Sequence, residues 1–129
     1  MPDIASVSGK TEAAKYRVRI AAGKNEVIAD EPVAKGGADT GFNPFQLLVS
    51  SLAACTAITV RMYAERKGWD TGEIAVDVAM ESEKGDTKFT RKVTFEKTLA
   101  AEEHERLIMV ANACPVHKIL TGKIAITTT

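Results

Sequence analysis

The sequence has no net charge: 17 Lys and Arg stand against 17 Asp and Glu. A nucleic-acid binder or a polybasic membrane-surface protein would carry a basic excess, so neither nucleic acid nor a membrane is an expected partner. Aromatic residues make up only 5% of the chain, with one tryptophan, so stacking platforms for single-stranded nucleic acid are not expected. Residues 1–15 lack the apolar core and small-residue cleavage pattern of a secretory signal. The longest uncharged run, 40–60, is broken by Gly41, Asn43, Pro44, Gln46, Ser50, Ser51, Thr56 and Thr59, which makes it a poor bilayer span. There are just two cysteines, too few for a disulfide framework, and the expected setting is a reducing cytoplasm.

What the chain does have is apolar content for one core. It has 129 residues, 45% of them apolar. A chain of this length buries roughly 65–70% of its unfolded surface in one core. A single domain over 1–129 is therefore expected, with 1–12 as a mobile lead-in. Alternation predicts a strand over 15–21, with Tyr16, Val18 and Ile20 opposite Lys15, Arg17 and Arg19. A turn at Gly23-Lys24-Asn25 leads to a second strand over 26–29, and a glycine-rich loop covers 35–42.

The strongest signal is a helix from Pro44 to Lys67. Asn43 is a good N-cap, Pro44 suits the first helical position and Gly68 suits the residue after the last turn. Leu48, Leu52, Cys55, Thr59 and Met62 share one face, while Leu47, Val49, Ala54, Ile58 and Val60 spread apolar surface round most of the cylinder. So short a chain cannot readily cover such a helix, which points to a homodimer. Strands follow over 73–80 and 88–97. The second sets Phe89, Arg91, Val93 and Phe95 against Thr90, Lys92, Thr94 and Glu96. Helices are expected over 102–113 and 115–120, and a last strand over 123–128. The order β-β-α-β-β-α-α-β defines an α+β domain.

Cys55, on the apolar helix face, reads by itself as a small buried hydrophobe. Cys114 precedes Pro115 and is pushed to extended geometry at the start of a helix. There the free N–H groups and the positive helix end favour thiolate, and His117 and Lys118 could add positive charge. A plain cap residue is the equal alternative. Cys114 and His117 have a C-x-x-H spacing that Cys55 and His104 could extend to four ligands, but structural zinc sites use two tight pairs and here there is one, so no metal is expected. Gly36-Gly37 lacks any phosphate-binding motif, no Ser-His-Asp arrangement can be assembled, and no cofactor is expected.

The stretch from Gly41 through Asn43-Pro44 to Ala54-Cys55-Thr56, followed by Cys114-Pro115-Val116-His117-Lys118, resembles the two motifs of the OsmC/Ohr family of osmotically inducible and organic hydroperoxide resistance proteins. The resemblance implies an intertwined homodimer with long central helices wrapped by antiparallel sheets. It implies a thiol peroxidase acting on organic hydroperoxides, with Cys55 as peroxidatic residue, Cys114 as resolving residue and a dithiol as reductant. One departure stands out. Ohr-type members carry a glutamate directly after Asn-Pro that holds an arginine at the reactive sulfur; here that position is Phe45. No arginine matches the family motif, although Arg17 and Arg19 lie in the N-terminal segment. Phe45 could instead line an apolar pocket. The competing readings are a non-catalytic dimer that binds an apolar small molecule and a redox-sensing protein.

Overall fold

The computed structural model describes residues 2–129 and has nine elements. They are β1 (Ser8–Thr11), β2 (Val18–Ala22), β3 (Asn25–Ala29), a 3-10 turn (Val33–Lys35), α1 (Pro44–Lys67), β4 (Ile74–Glu83), β5 (Asp86–Phe95), α2 (Ala101–Ala111) and α3 (Pro115–Leu120). The class is α+β with antiparallel sheets, as the residue patterns require. By contact density the chain divides into two compact units, up to Leu48 and from Val49 onward. α1 starts in the first and runs through the second.

The first unit is a three-stranded antiparallel sheet in the order β1-β2-β3. Thr11 pairs with Val18 and Val18 with Ala29. Residues 8–11, expected to be a mobile lead-in, form β1. All four are exposed, so they show no apolar alternation to read; backbone pairing alone defines the strand. β2 starts at Val18 because the chain turns just before it, with Arg17 N–H donating to the Ala14 carbonyl at 3.0 Å. The charges of half-buried Arg17 and exposed Arg19 are met by Glu12 and Glu26 at 2.7–3.1 Å.

After β3 the backbone is gathered around one carboxylate. Asp30 is buried, and among the described residues no cation pairs with it. Its oxygens accept from the N–H groups of Tyr16 (3.1 Å), Glu31 (2.7 Å), Ala38 (3.4 Å) and Thr40 (3.0 Å), and from the Thr40 hydroxyl (2.6 Å). Convergent donors of this kind satisfy a buried anion as an ion pair would. They hold the carboxyl well below the usual range, the Thr40 hydroxyl and N–H contributing most. Gly37 and Gly41 make the loop possible: a Cβ on either would collide with the backbone carbonyl of Glu31 or Ile28. Asn43 and Gln46 then cap α1 reciprocally. Gln46 N–H donates to Asn43 Oδ1 at 2.8 Å, and Asn43 N–H to Gln46 Oε1 at 2.9 Å.

In the second unit β4 and β5 form a long hairpin from Ile74↔Phe95 to Glu83↔Asp86. Lys84 and Gly85 both have positive φ, the backbone that a two-residue hairpin turn demands. α1 buries Leu52, Thr56, Val60 and Ala64, one residue every four. The core joins Val60 and Ala64 to Leu107 and Ala111 of α2, with Tyr63, Trp69, Ile74, Val93 and Phe95 around them. Burial all round α1 is not what one chain achieves: Ile58 and Met62 are 57% and 61% exposed. By length and composition α1 could cross a bilayer, with a mean hydropathy of 1.5 over its most apolar window. Its buried stripe packs into the core shared with α2.

The strand expected over 123–128 is not formed. Residues 123–129 have no regular structure and are exposed, Ile126 at 87%. The alternation of Ile124 and Ile126 is real, but a strand exists only against another backbone edge, and among the described residues none pairs with it.

Two stability tests follow from the two units. Leu107, fully buried against α1, should cost about 2–5 kcal/mol when cut to alanine, read from denaturant unfolding. Asp30→Asn puts amide protons among donors and should lower the melting temperature at neutral pH. Because the folded carboxyl is depressed, its contribution is complete above the ordinary value of 3.8 and lost as pH falls below it. The gap between wild type and variant should therefore close only in strong acid.

Candidate functional site

The two cysteines, remote in sequence, meet at the start of α3. Cys55 sits on α1 next to the buried stripe and is half-buried; Cys114 is fully buried. Both are free thiols. Pro115 leaves Cys114 extended, at φ −66° and ψ 149°, so its side chain turns onto the first turn of the helix. Two successive backbone N–H groups there serve the two sulfurs. Val116 N–H donates to Cys55 Sγ, and His117 N–H to Cys114 Sγ, each at 3.4 Å. Adjacent donors of one helical turn thus bring both sulfurs to the same end of α3.

The charge at the site comes from a residue that motif reading does not supply. Arg91 lies on β5 in the half-buried register of Phe89, Val93 and Phe95. Its Nη1 donates to Thr56 Oγ1 at 3.0 Å, and its Nη2 to Asn112 Oδ1 at 2.8 Å and to His117 Nδ1 at 3.0 Å. Because a guanidinium only donates, His117 Nδ1 must accept, which puts the ring proton on Nε2 and leaves the imidazole neutral. The positive charge expected from His117 is thus supplied by Arg91, and His117 acts on Cys114 through its backbone N–H. Arg17 and Arg19 remain with Glu12 and Glu26 in the first unit. A signal for Arg91 was present in the sequence: a lone cation in the apolar register of a strand.

Thr56 links the groups. Its hydroxyl donates to the Leu52 carbonyl at 2.7 Å, accepts from Arg91, and lies 3.8 Å from Cys114 Sγ. Burial, the strongest single influence on Cys114, favours the neutral thiol. The His117 N–H, the Cys55 and Thr56 side chains and the Arg91 guanidinium act the other way and together prevail, so Cys114 ionises below the ordinary cysteine value. α3 has only six residues, so this is the effect of specific hydrogen bonds and one nearby charge rather than of a long helix dipole.

His104 does not join the cysteines. It is exposed and meets Phe95 edge-on, with ring centroids 5.5 Å apart. Among the described residues no three His, Cys, Asp or Glu side chains are grouped to hold a metal ion. Phe45, on the first turn of α1, is 60% exposed.

Residues 36–129 match the family of OsmC-like proteins, and the chain belongs to that family. No curated protein matches it in sequence. Among solved structures it is similar to an OsmC-like protein from Mycoplasma pneumoniae, at 18% identity and a TM-score of 0.74, covering 95% of this chain and 90% of the other. It is also similar to the organic hydroperoxide resistance protein OhrB of Bacillus subtilis, at 25% identity and a TM-score of 0.63, covering 93% and 92%. A third is an organic hydroperoxide resistance protein OsmC from Legionella pneumophila, also described as a predicted redox protein, at 20% identity, a TM-score of 0.65 and 94% and 93% coverage. Family membership and these neighbours support a redox or peroxidase role.

The sulfur environment has a direct test. In the reduced protein, thiolate absorbance in the ultraviolet should rise at a pH below the ordinary cysteine value of 9.0. Replacing Cys114 with serine should remove that early rise. If it persists unchanged, the acidic sulfur is Cys55.

Proposed function

We propose that this chain is a cysteine-based peroxidase for organic hydroperoxides in oxidative-stress defence, with Cys55 as the peroxidatic sulfur and Cys114 as the resolving sulfur. The observation that carries the reading is the asymmetry of a paired site. Cys55 is the more accessible sulfur, whereas Cys114 is buried yet acidic, and adjacent N–H groups of one helical turn hold the two. Loss of the Cys55 proton gives the outer sulfur the negative charge that attack requires.

Cys55 thiolate then attacks the distal peroxide oxygen. The O–O bond breaks, an alkoxide leaves and takes a proton to become the alcohol, and Cys55 becomes a sulfenic acid. Cys114, as thiolate, attacks the sulfenic sulfur and expels hydroxide, which is protonated to water as the disulfide forms. A dithiol reductant returns both cysteines to thiols and is itself oxidised to a disulfide. Prompt resolution protects Cys55 from irreversible oxidation.

The working form in this proposal is a homodimer in the cytoplasm. Exposed Ile58 and Met62 on α1 support the dimer, and two unbridged thiols suit a reducing compartment. The same exposed apolar side chains favour the second reading, a non-catalytic dimer that binds an apolar small molecule.

One equivalent of cumene hydroperoxide should consume two thiols per chain and leave an intramolecular bridge, seen as a mass loss of two hydrogens. Cys55→Ser should abolish turnover with a dithiol. Cys114→Ser should leave a Cys55 sulfenic acid that dimedone traps and excess peroxide over-oxidises. Survival of both thiols in a large peroxide excess would exclude the enzyme and favour the binding reading. Bridge formation without dithiol turnover would instead identify a redox sensor.

A further inference from the structure

Arg91 has an unusual set of partners. Its guanidinium makes three hydrogen bonds, all to uncharged acceptors: Thr56, Asn112 and His117. The ion pairs among the described residues use other cations, so no carboxylate offsets its charge. The acceptors are arranged around one sulfur only. Thr56 Oγ1 lies 3.8 Å from Cys114 Sγ, Asn112 precedes Cys114 by two residues, and His117 donates its N–H to the same sulfur. Cys55 has a different environment, Val116 N–H at 3.4 Å and Thr59 Oγ1 at 3.9 Å, and Arg91 binds neither.

The sulfur that Arg91 serves is therefore the buried one, which the peroxide does not meet first. Negative charge builds on Cys114 when the disulfide is opened. An incoming thiolate reaches the half-buried Cys55 more readily than the enclosed Cys114, and a disulfide opens faster when its departing sulfur is the more acidic. Access and leaving-group stability thus select the same bond polarity.

We infer that Arg91 is a positioning residue for the reductive half-reaction: it holds Thr56, Asn112 and His117 around Cys114 so that the reductant attacks Cys55 and Cys114 departs as thiolate. The inference rests on the Cys55–Cys114 bridge of the proposed function. In the step, one thiolate of a dithiol bonds to Cys55 Sγ, the Cys55–Cys114 bond breaks and its electron pair leaves on Cys114. The reductant's second thiol then attacks its own sulfur in the mixed disulfide and expels Cys55 as thiolate. The reductant ends as a disulfide, and its two protons end on the two cysteines.

The test forms the bridge with diamide, so it does not depend on any peroxide reaction. Glutathione added to the oxidised wild type, quenched in acid and mapped by peptide mass, should be found on Cys55. Opening by excess dithiothreitol should slow about tenfold in Arg91→Gln and recover most of its rate in Arg91→Lys, which restores the charge. A defect in packing alone would slow both variants alike. Glutathione on Cys114, equal rates in Gln variant and wild type, or equal slowing in Gln and Lys variants would each overturn the inference, as would failure of diamide to close the bridge. Should the Gln variant not fold, the wild-type adduct position and the Lys variant's rate decide. A bridge that diamide closes and peroxide does not would sink the peroxidase reading while leaving this assay intact.

Discussion

Everything at the paired thiols depends on the peptide unit before Pro115. A residue preceding proline avoids helical geometry, so Cys114 stays extended and its sulfur folds back toward the turn it precedes. That single constraint orients consecutive N–H groups toward two different sulfurs, the nearer from its own helix and the other from α1. A helix begun one residue earlier would spend the His117 N–H within the backbone. The cost of leaving a helix terminus unsatisfied becomes the means of holding two thiols together.

The chemistry of Cys114 is then a contest between burial and specific contacts. A buried thiol with apolar neighbours is inert. Here the surroundings are polar where it matters: an N–H, a hydroxyl, a second thiol and a guanidinium held by three neutral acceptors. Enclosure raises the cost of an ion, but it also keeps water from screening the charge that stabilises it. The same enclosure separates the roles of the sulfurs, since only Cys55 retains access to solvent.

Much of this was legible in the residues. Asn43, Pro44 and Gly68 marked the ends of α1 within a residue, because caps act locally. The alternation over 73–97 gave both strands of the long hairpin. β1 was hidden because its four exposed residues carry no face-dependent pattern, and the strand expected over 123–128 failed for the opposite reason: Ile124 and Ile126 alternate, but among the described residues no strand pairs with them. Asp30 was invisible as an anchor, since its donors are backbone groups spread from Tyr16 to Thr40. The bonding of Arg91 to Thr56 and His117 joins three elements by long-range contacts that no spacing encodes. Only its place among Phe89, Val93 and Phe95 hinted that it pointed inward.

That inward arginine also bears on the missing glutamate. Where a carboxylate holds an arginine, the pair is close to neutral, and a nearby sulfur feels a dipole more than a charge. Phe45 stands where the resemblance leads one to expect that carboxylate, and the guanidinium that does reach the thiols comes from β5 and is held by an amide, a hydroxyl and a neutral imidazole. Neutral acceptors fix its position without cancelling its charge. The full charge is then available to a thiolate, and in a medium of low effective dielectric it is felt more strongly than on the surface. Arg91 is the least of the influences that favour the Cys114 thiolate; the His117 N–H and the Cys55 and Thr56 side chains do more, and none of them involves the family's glutamate.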